Sequence, residues 1–273
     1  MGLSYEEFKR IVGFLTGLDL SAYKSHQMDR RIHSLMKLWG LTGYDEYLRV
    51  LRTDAARFEE FKKKLTINVS EFYRNPERFA ELAEVVLPEL FRTGRRLRIW
   101  SAGCANGAEP YTVAIIIRES GYRPGAYILG TDVDRVSLRR AQSGIYAPNE
   151  VRYIPAAIFA KYFHASGSGF ELAEEIRRMV EFRQADLLVD DPGSDWDLIL
   201  CRNVVIYFTE AAKEGLYRRL CRALRPGGYL MVGGTEPLLN YKDYGLENPL
   251  SNFYQKIIPP ERFRVSGRGR DAS

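Results

Sequence analysis

Histidine, cysteine and tryptophan are scarce, at three residues each in a chain of 273. Cys104, Cys201 and Cys221 lie far apart, with no CxxC pair and an odd count. This excludes a disulfide framework and supplies no zinc-ligand spacing, so no metal site is expected and the natural setting is a reducing cytoplasm. The histidines, His26, His33 and His164, belong to no Ser-His-Asp or Cys-His arrangement, which leaves Cys104 and Cys201 to be read as small buried residues. No apolar run approaches the ~18 residues of a membrane span; Val113–Ile117 is typical of the longest. Ile11–Leu18 follows Lys9-Arg10 but is no signal-peptide core. Glu6 and Glu7 precede it, and Phe8, Ile11, Val12, Leu15 and Leu18 recur at helical spacing. Gly2 lacks the Ser/Thr at position 6 that myristoylation prefers. A soluble chain with no membrane insertion is expected.

Charge of one sign is also in short supply. Forty Lys and Arg against 35 Asp and Glu leave a formal +5, too little to demand nucleic acid. Aromatic and basic residues are not interleaved as base-stacking surfaces require, so no nucleic-acid partner is expected. A hydrophobic share of 45% and a charged share of 27% are ordinary for a folded chain with a sizeable core.

Three sections follow one another. Residues 1–75 read as successive helices forming an N-terminal domain, with 76–96 as a linking helix. In Tyr23–Trp39, the residues Met28, Ile32, Leu35 and Trp39 form one stripe, and His26, Arg30, His33 and Lys37 form another roughly 200° away. One helix face is apolar and the opposite one basic. From Leu97 the pattern changes. Short strands are expected at Leu97–Trp100, Tyr127–Leu129, Val180–Arg183, Leu198–Cys201 and Tyr229–Val232, with helices between most of them, notably Tyr111–Arg118 and Arg135–Gln142. That alternation predicts a parallel sheet covered by helices on both faces, over 97–262, with an insertion at about 150–180 around Ser166-Gly167-Ser168-Gly169. The Gly/Ser/Arg-rich end, 263–273, is expected to be a flexible tail.

In such sheets ligands bind beyond the carboxyl ends of the strands. The loop after the first strand, Ser101–Gly107, brings Gly103 where a ligand approaches the backbone closely. It is GxxxG rather than GxGxxG, and no GK[ST] exists, so a phosphate cradle is excluded. The second strand ends at Asp132, suited to ribose hydroxyls; the third at Asp186, suited to an exocyclic amine; the fourth at Cys201-Arg202-Asn203. Each alone reads better as a cap or turn residue. Together they describe a pocket for a ribonucleoside without phosphates.

These residues, with Thr66–Arg74, Gly107-Ala108-Glu109-Pro110-Tyr111, Gly144-Ile145-Tyr146, Asp197–Phe208 and Leu224–Leu230, resemble the chemotaxis receptor glutamate O-methyltransferase family. The resemblance runs from the helical start to about Ile257. It implies an α/β class I S-adenosylmethionine-dependent methyltransferase sheet with an N-terminal all-helical domain and a small inserted antiparallel β subdomain. It implies S-adenosylmethionine as cofactor, S-adenosylhomocysteine as product, and the cytoplasmic helical region of methyl-accepting chemotaxis receptors as partner; a monomer is expected. It further implies that Asn68, Ser70 and Arg74 help hold the cofactor from the N-terminal side. Glu109 and Asp132 would bind its ammonium and ribose regions, and Asp186, Leu187, Asn203 and Val204 would surround the adenosyl end and pocket floor. Arg74 would also steer an incoming carboxylate, and Tyr207, four residues after Asn203, would point into the pocket; catalytic roles are expected of these two. Since the family's methylation regions are acidic helices, the basic stripe, Arg30 and Lys37 above all, is expected to read the substrate.

Two positions depart from the family pattern. Gly233-Gly234-Thr235-Glu236 stands where Gly-His-Ser-Glu is common, so no role passes to that histidine, and Asp186-Leu187 replaces Asn-Leu. The insertion is short, and no grip on a receptor tail is assigned to it. A methyltransferase acting on RNA or a small molecule, or a binding module without turnover, are the rival readings. Alkali-labile product distinguishes an ester from an N-methyl group, and single turnover distinguishes an enzyme from a binding module.

Overall fold

A computed structural model of the chain describes residues 2–66 and 70–258. Four helices come first: α1 (Tyr5–Thr16), α2 (Ser25–Leu38), α3 (Tyr44–Thr53) and α4 (Ala55–Leu65). Ser4 and Glu7 cap the start of α1 reciprocally, and Gly17 ends it in the left-handed conformation. Phe8, Val12, Met28, Ile32, Leu35, Tyr47, Leu51, Phe61 and Leu65 meet in one buried cluster, so the apolar stripe of α2 faces inward. Its basic stripe faces out, with Arg30 and Lys37 exposed. His33 is not free to act with them. Its ring nitrogens lie 2.8 Å from the Asp29 carbonyl and 2.8 Å from the Tyr44 hydroxyl, pinning α2 to α3.

Helix α5 (Pro76–Glu81) runs through one wide turn, Leu82–Val86, into α6 (Leu87–Phe91). A doubly wound region follows: β1 (Leu97–Ala102), α7 (Ala108–Ser120), β2 (Ala126–Asp132) and α8 (Arg135–Ser143). A small antiparallel sheet interrupts it, built from β3 (Ile145–Tyr146), β4 (Phe163–Ser166) and β5 (Gly169–Leu172), with α9 (Ala156–Tyr162) before β4 and α10 (Glu174–Arg177) after β5. The main sheet resumes with β6 (Val180–Gln184) and β7 (Trp196–Cys201). Then come α11 (Glu210–Ala223), β8 (Leu224–Val232), β9 (Leu246–Leu250) and β10 (Phe253–Lys256).

The seven strands lie in the order β6-β2-β1-β7-β8-β10-β9. The first five in that order are parallel; β10 joins β8 antiparallel, and β9 joins β10 likewise. Two features depart from the expected all-parallel, doubly covered sheet. The β9–β10 hairpin adds an antiparallel edge, and no helix lies between β6 and β7, where 185–195 crosses as a loop. The antiparallel edge was illegible because Leu246-Glu247-Asn248-Pro249-Leu250 has neither alternation nor an apolar run.

The order reverses between β1 and β7, because the chain winds outward from β1 through β2 to β6 and then returns to the other side. The loops after these two strands therefore part at a crevice, the place where open α/β sheets bind ligands.

Candidate active site

Backbone geometry builds the crevice first. Gly103 follows β1 with φ +81°, and a Cβ there would stand 2.6 Å from Val204 Cγ2. The loops after β1 and β7 thus touch where only glycine fits. Gly107 repeats the device at the start of α7, where a Cβ would strike Ala141 and the Phe182 ring. Across the gap Asn203 is itself left-handed, at φ +58°. Glu236 holds that turn. Its carboxylate accepts the backbone N–H groups of Asn203 (2.5 Å), Ile206 (3.1 Å) and Gly233 (3.2 Å), and burial raises its pKa against those hydrogen bonds.

The cleft these loops frame has about 930 Å3 of space free of protein atoms, its open mouth included. Gly103, Glu109, Asp132, Asp186, Leu187, Asn203 and Val204 line it from the sheet side, and Ser70, Arg74 and Tyr207 from the mouth. Every expected cofactor-contacting and catalytic residue among those described is brought together here; Asn68 lies outside the described residues. Arg30 and Lys37 are not in the cleft but on the outer face of α2.

Sequence reasoning missed three contributors. Tyr23 closes the cleft from the helical region, beside Asp186 and Asp132, which together with burial push its hydroxyl pKa up. Arg31, one position from the expected Arg30, lies 5.0 Å from the Tyr207 ring and donates to the Leu65 carbonyl at 2.8 Å. Arg202 is buried and donates to Glu109 (3.2 Å), the Arg74 carbonyl (2.8 Å) and Asn75 Oδ1 (3.0 Å). The neighbour relation of Arg31 and Arg30 is the only sequence signal for Arg31. For Arg202 the signal was the polar cluster where β7 stops.

Charge then decides what fits. Glu109 is oriented, and partly neutralised, by accepting from Ser101 Oγ at 2.7 Å and from Arg202 at 3.2 Å, one partner on each oxygen. Glu71, also on the wall, is paired in a forked contact with Arg152. Asp132 accepts the N–H groups of Ala105 (2.8 Å) and Asp134 (2.9 Å), yet burial raises its pKa, and among the described residues no cation pairs with it. Asp186 is raised too, first by burial, and its Oδ1 accepts only the Leu188 N–H at 2.8 Å. Two carboxylates thus face the cavity with lone pairs to spare. The donor set fits a cationic ligand rich in hydroxyl and amine donors, and the Gly103–Val204 contact leaves backbone exposed to it. A sulfonium nucleoside has that chemistry.

Neither thiol near the cleft is available as a nucleophile. The Cys104 and Cys201 thiols are fully buried with pKa values pushed well up by burial. Among the described residues no cluster of His, Cys, Asp and Glu could hold a metal ion, and no helix is long and apolar enough to cross a membrane.

Comparison with known proteins adds the family. The model described as "CheR methyltransferase, SAM binding domain" matches residues 68–249, and "CheR methyltransferase, all-alpha domain" matches 3–66. A chemotaxis protein methyltransferase of Listeria innocua is 39% identical over 251 residues, covering 92% of this chain and 95% of that protein. Chemotaxis protein methyltransferase 1 of Pseudomonas aeruginosa is 32% identical, covering 88% and 92%. Among solved structures, the glycopeptide N-methyltransferase MtfA complexed with sinefungin aligns with 60% of this chain and 50% of its own, at 13% identity and a TM-score of 0.37. With a helical region ahead of a sheet whose reversal point carries an acidic, phosphate-free nucleoside cleft, and with both family models matched in order, the chain belongs to the CheR methyltransferase family and binds S-adenosylmethionine.

Proposed function

We propose that the protein esterifies glutamate side chains on the cytoplasmic helices of chemoreceptors, working in the cytoplasm as a monomer. The observation that carries this reading is a pair of arginines, Arg74 and Arg31, around Tyr207, at a cleft whose described lining holds neither histidine nor lysine. An acceptor there must bring its own nucleophile in ionised form. A glutamate carboxylate, with an ordinary pKa of ~4.3, does so at neutral pH and needs no base.

S-adenosylmethionine supplies an electrophilic methyl group whose transfer to a carboxylate cancels two opposite charges. The chain's own residues do the placing. Asp132 would take the ribose hydroxyls, Glu109 the ammonium through a carboxylate already oriented by Ser101 and Arg202, and Asp186 an amine of the adenine. Leu187, Val204 and the Gly103 backbone would close on the adenosyl body, and Ser70 and Asn68 would close the N-terminal side. Arg74 and Tyr207 would orient the incoming carboxylate, since near-attack contact at ~3–3.5 Å supplies much of the rate. Burying the rim strips water from that carboxylate, which favours a charge-neutralising step. Outside the cleft, Arg30 and Lys37 would meet the acidic faces of receptor helices.

The test is incubation with methyl-labelled cofactor and receptor-bearing membranes, followed by mild alkali. Volatile label released as methanol is expected. Label that stays with protein through alkali, or appears on RNA, would overturn the reading.

A further inference from the structure

The crossing without a helix, 185–195, leaves a second, partly open cavity against the sheet, with about 800 Å3 of space free of protein atoms, its mouth included. Its floor is aromatic: Trp100, Tyr127 and Trp196, from three neighbouring strands. On that floor lies Arg98. Its guanidinium sits 4.7 Å from the centroid of Trp196 and 5.6 Å from that of Tyr127, so the rings fix its plane. Its Nε is shielded from water and has no acceptor among the described residues. The nearest carboxylate in the ladder, Asp197, does not serve it. Asp197 accepts the Arg98 backbone N–H at 2.7 Å and turns its charge to Arg95 and Arg225.

A guanidinium held in plane by two rings and lining a cavity, with no ion pair to its side chain among the described residues, is a preformed half of a carboxylate clamp through its terminal nitrogens. The opposite wall has the other sign. Asp186, Asp190 and Asp191 line it, each holding the loop by accepting one backbone N–H, from Leu188, Asp186 and Gly193; Arg183, also on the lining, is paired with Glu181 at 3.0 Å. An anion alone would meet Arg98 but be repelled by this wall, and a cation alone would do the reverse. We propose that the slot is a second ligand site, for a small zwitterion of the α-amino-acid class. Its carboxylate would pair with Arg98, its ammonium with the aspartate wall, and its apolar body would rest on the Trp196–Tyr127 floor. Ala185, Asp186 and Leu187 line both this slot and the cofactor cleft, so occupancy of one alters affinity at the other by the same factor in both directions.

Calorimetry on the full chain with three probes tests the proposal. L-Phenylalanine has both charges, 3-phenylpropionate lacks the ammonium and phenethylamine lacks the carboxylate. Millimolar binding of L-phenylalanine is expected, with each truncated probe about tenfold weaker or worse. Arg98→Met should abolish it while S-adenosylmethionine still binds, which also shows that the variant folds. Asp191→Asn, on the exposed loop, should weaken L-phenylalanine and spare 3-phenylpropionate. No heat with L-phenylalanine at millimolar concentration, or equal binding of all three probes, or an Arg98→Met variant that binds as before, would overturn the site. Because the readout needs neither receptor nor turnover, failure here is separate from failure of the glutamate reading.

Discussion

At the scale of the residue, Asp132 concentrates the chemistry of the cleft. It is buried, accepts two backbone N–H groups and still has a raised pKa because burial outweighs them. In the empty protein its ionisation works against the fold, so its contribution to stability is greatest at acid pH and is lost as pH rises through the raised value. Cofactor affinity runs the other way, because the ligand needs the carboxylate. We expect the dissociation constant for S-adenosylmethionine to climb on acidification, starting above the ordinary aspartate range, and Asp132→Asn to flatten that profile while weakening binding at neutral pH by about tenfold or more. Titration calorimetry across pH would measure both; a flat wild-type profile counts against the assignment. Gly103→Ala is a second residue-scale case. It places a methyl group against Val204 in a left-handed backbone, and a loss of about 1–3 kcal/mol in stability together with cofactor binding is expected in thermal melts.

At the scale of the element, the turn after β7 depends on one side chain 33 residues away. Glu236→Ala strands the N–H groups of Asn203, Ile206 and Gly233, at about 1–3 kcal/mol for each donor left without an acceptor. We expect a lowered Tm and a weaker cofactor complex, with hydrogen exchange rising first in 203–207. Exchange spread evenly over the molecule would contradict that role. On α2, Arg30→Glu with Lys37→Glu is expected to raise KM for receptor and leave cofactor affinity alone, in steady-state assays paired with calorimetry; equal loss of both would sink it.

Elements were also the scale at which the sequence was most legible. Strands β1, β2, β7 and β8 are legible from short apolar runs, because buried parallel strands need few polar positions, and the edge strand β6 from the alternation Val180-Glu181-Phe182-Arg183. Polar strand ends locate the cleft: Asp132 and Asn203 stand where an apolar run stops, and Asp186 just beyond the end of the alternating strand β6. Contacts between distant segments left no local trace. Tyr23 reads as a generic aromatic and Arg31 as one of two adjacent arginines; only the packing of α2 against the β7 turn gives them their place. His33 looked like part of a basic stripe because a sequence pattern does not reveal that Tyr44 of another helix claims its ring.

At the scale of the whole molecule, the helical region and the sheet share a short seam. Tyr23 and Phe208 form an isolated bridge with their rings edge to face at 5.1 Å. Two backbone hydrogen bonds of 2.8 Å flank it, from Lys24 N–H to the Tyr207 carbonyl and from Thr209 N–H to the Ala22 carbonyl. The cleft sits directly on this seam, with Tyr23 and Leu65 on one side and Asp132 on the other. Phe208→Ala is expected to cost about 3–5 kcal/mol and to split calorimetric unfolding into two transitions. Saturating cofactor, worth about 2.7 kcal/mol at a hundred times its dissociation constant, should draw them together again. A single transition at the wild-type midpoint would rule that out.

The three cysteines have a practical consequence at this same scale. All are buried, and burial lifts the Cys221 thiol to about 12 and the other two well above their ordinary value. Maleimide dyes attack thiolates, so the native protein should stay dark under labelling conditions that keep it folded. A reporter cysteine placed on the outer face of α2 could then be labelled alone, with no background substitutions, to watch a receptor helix arrive.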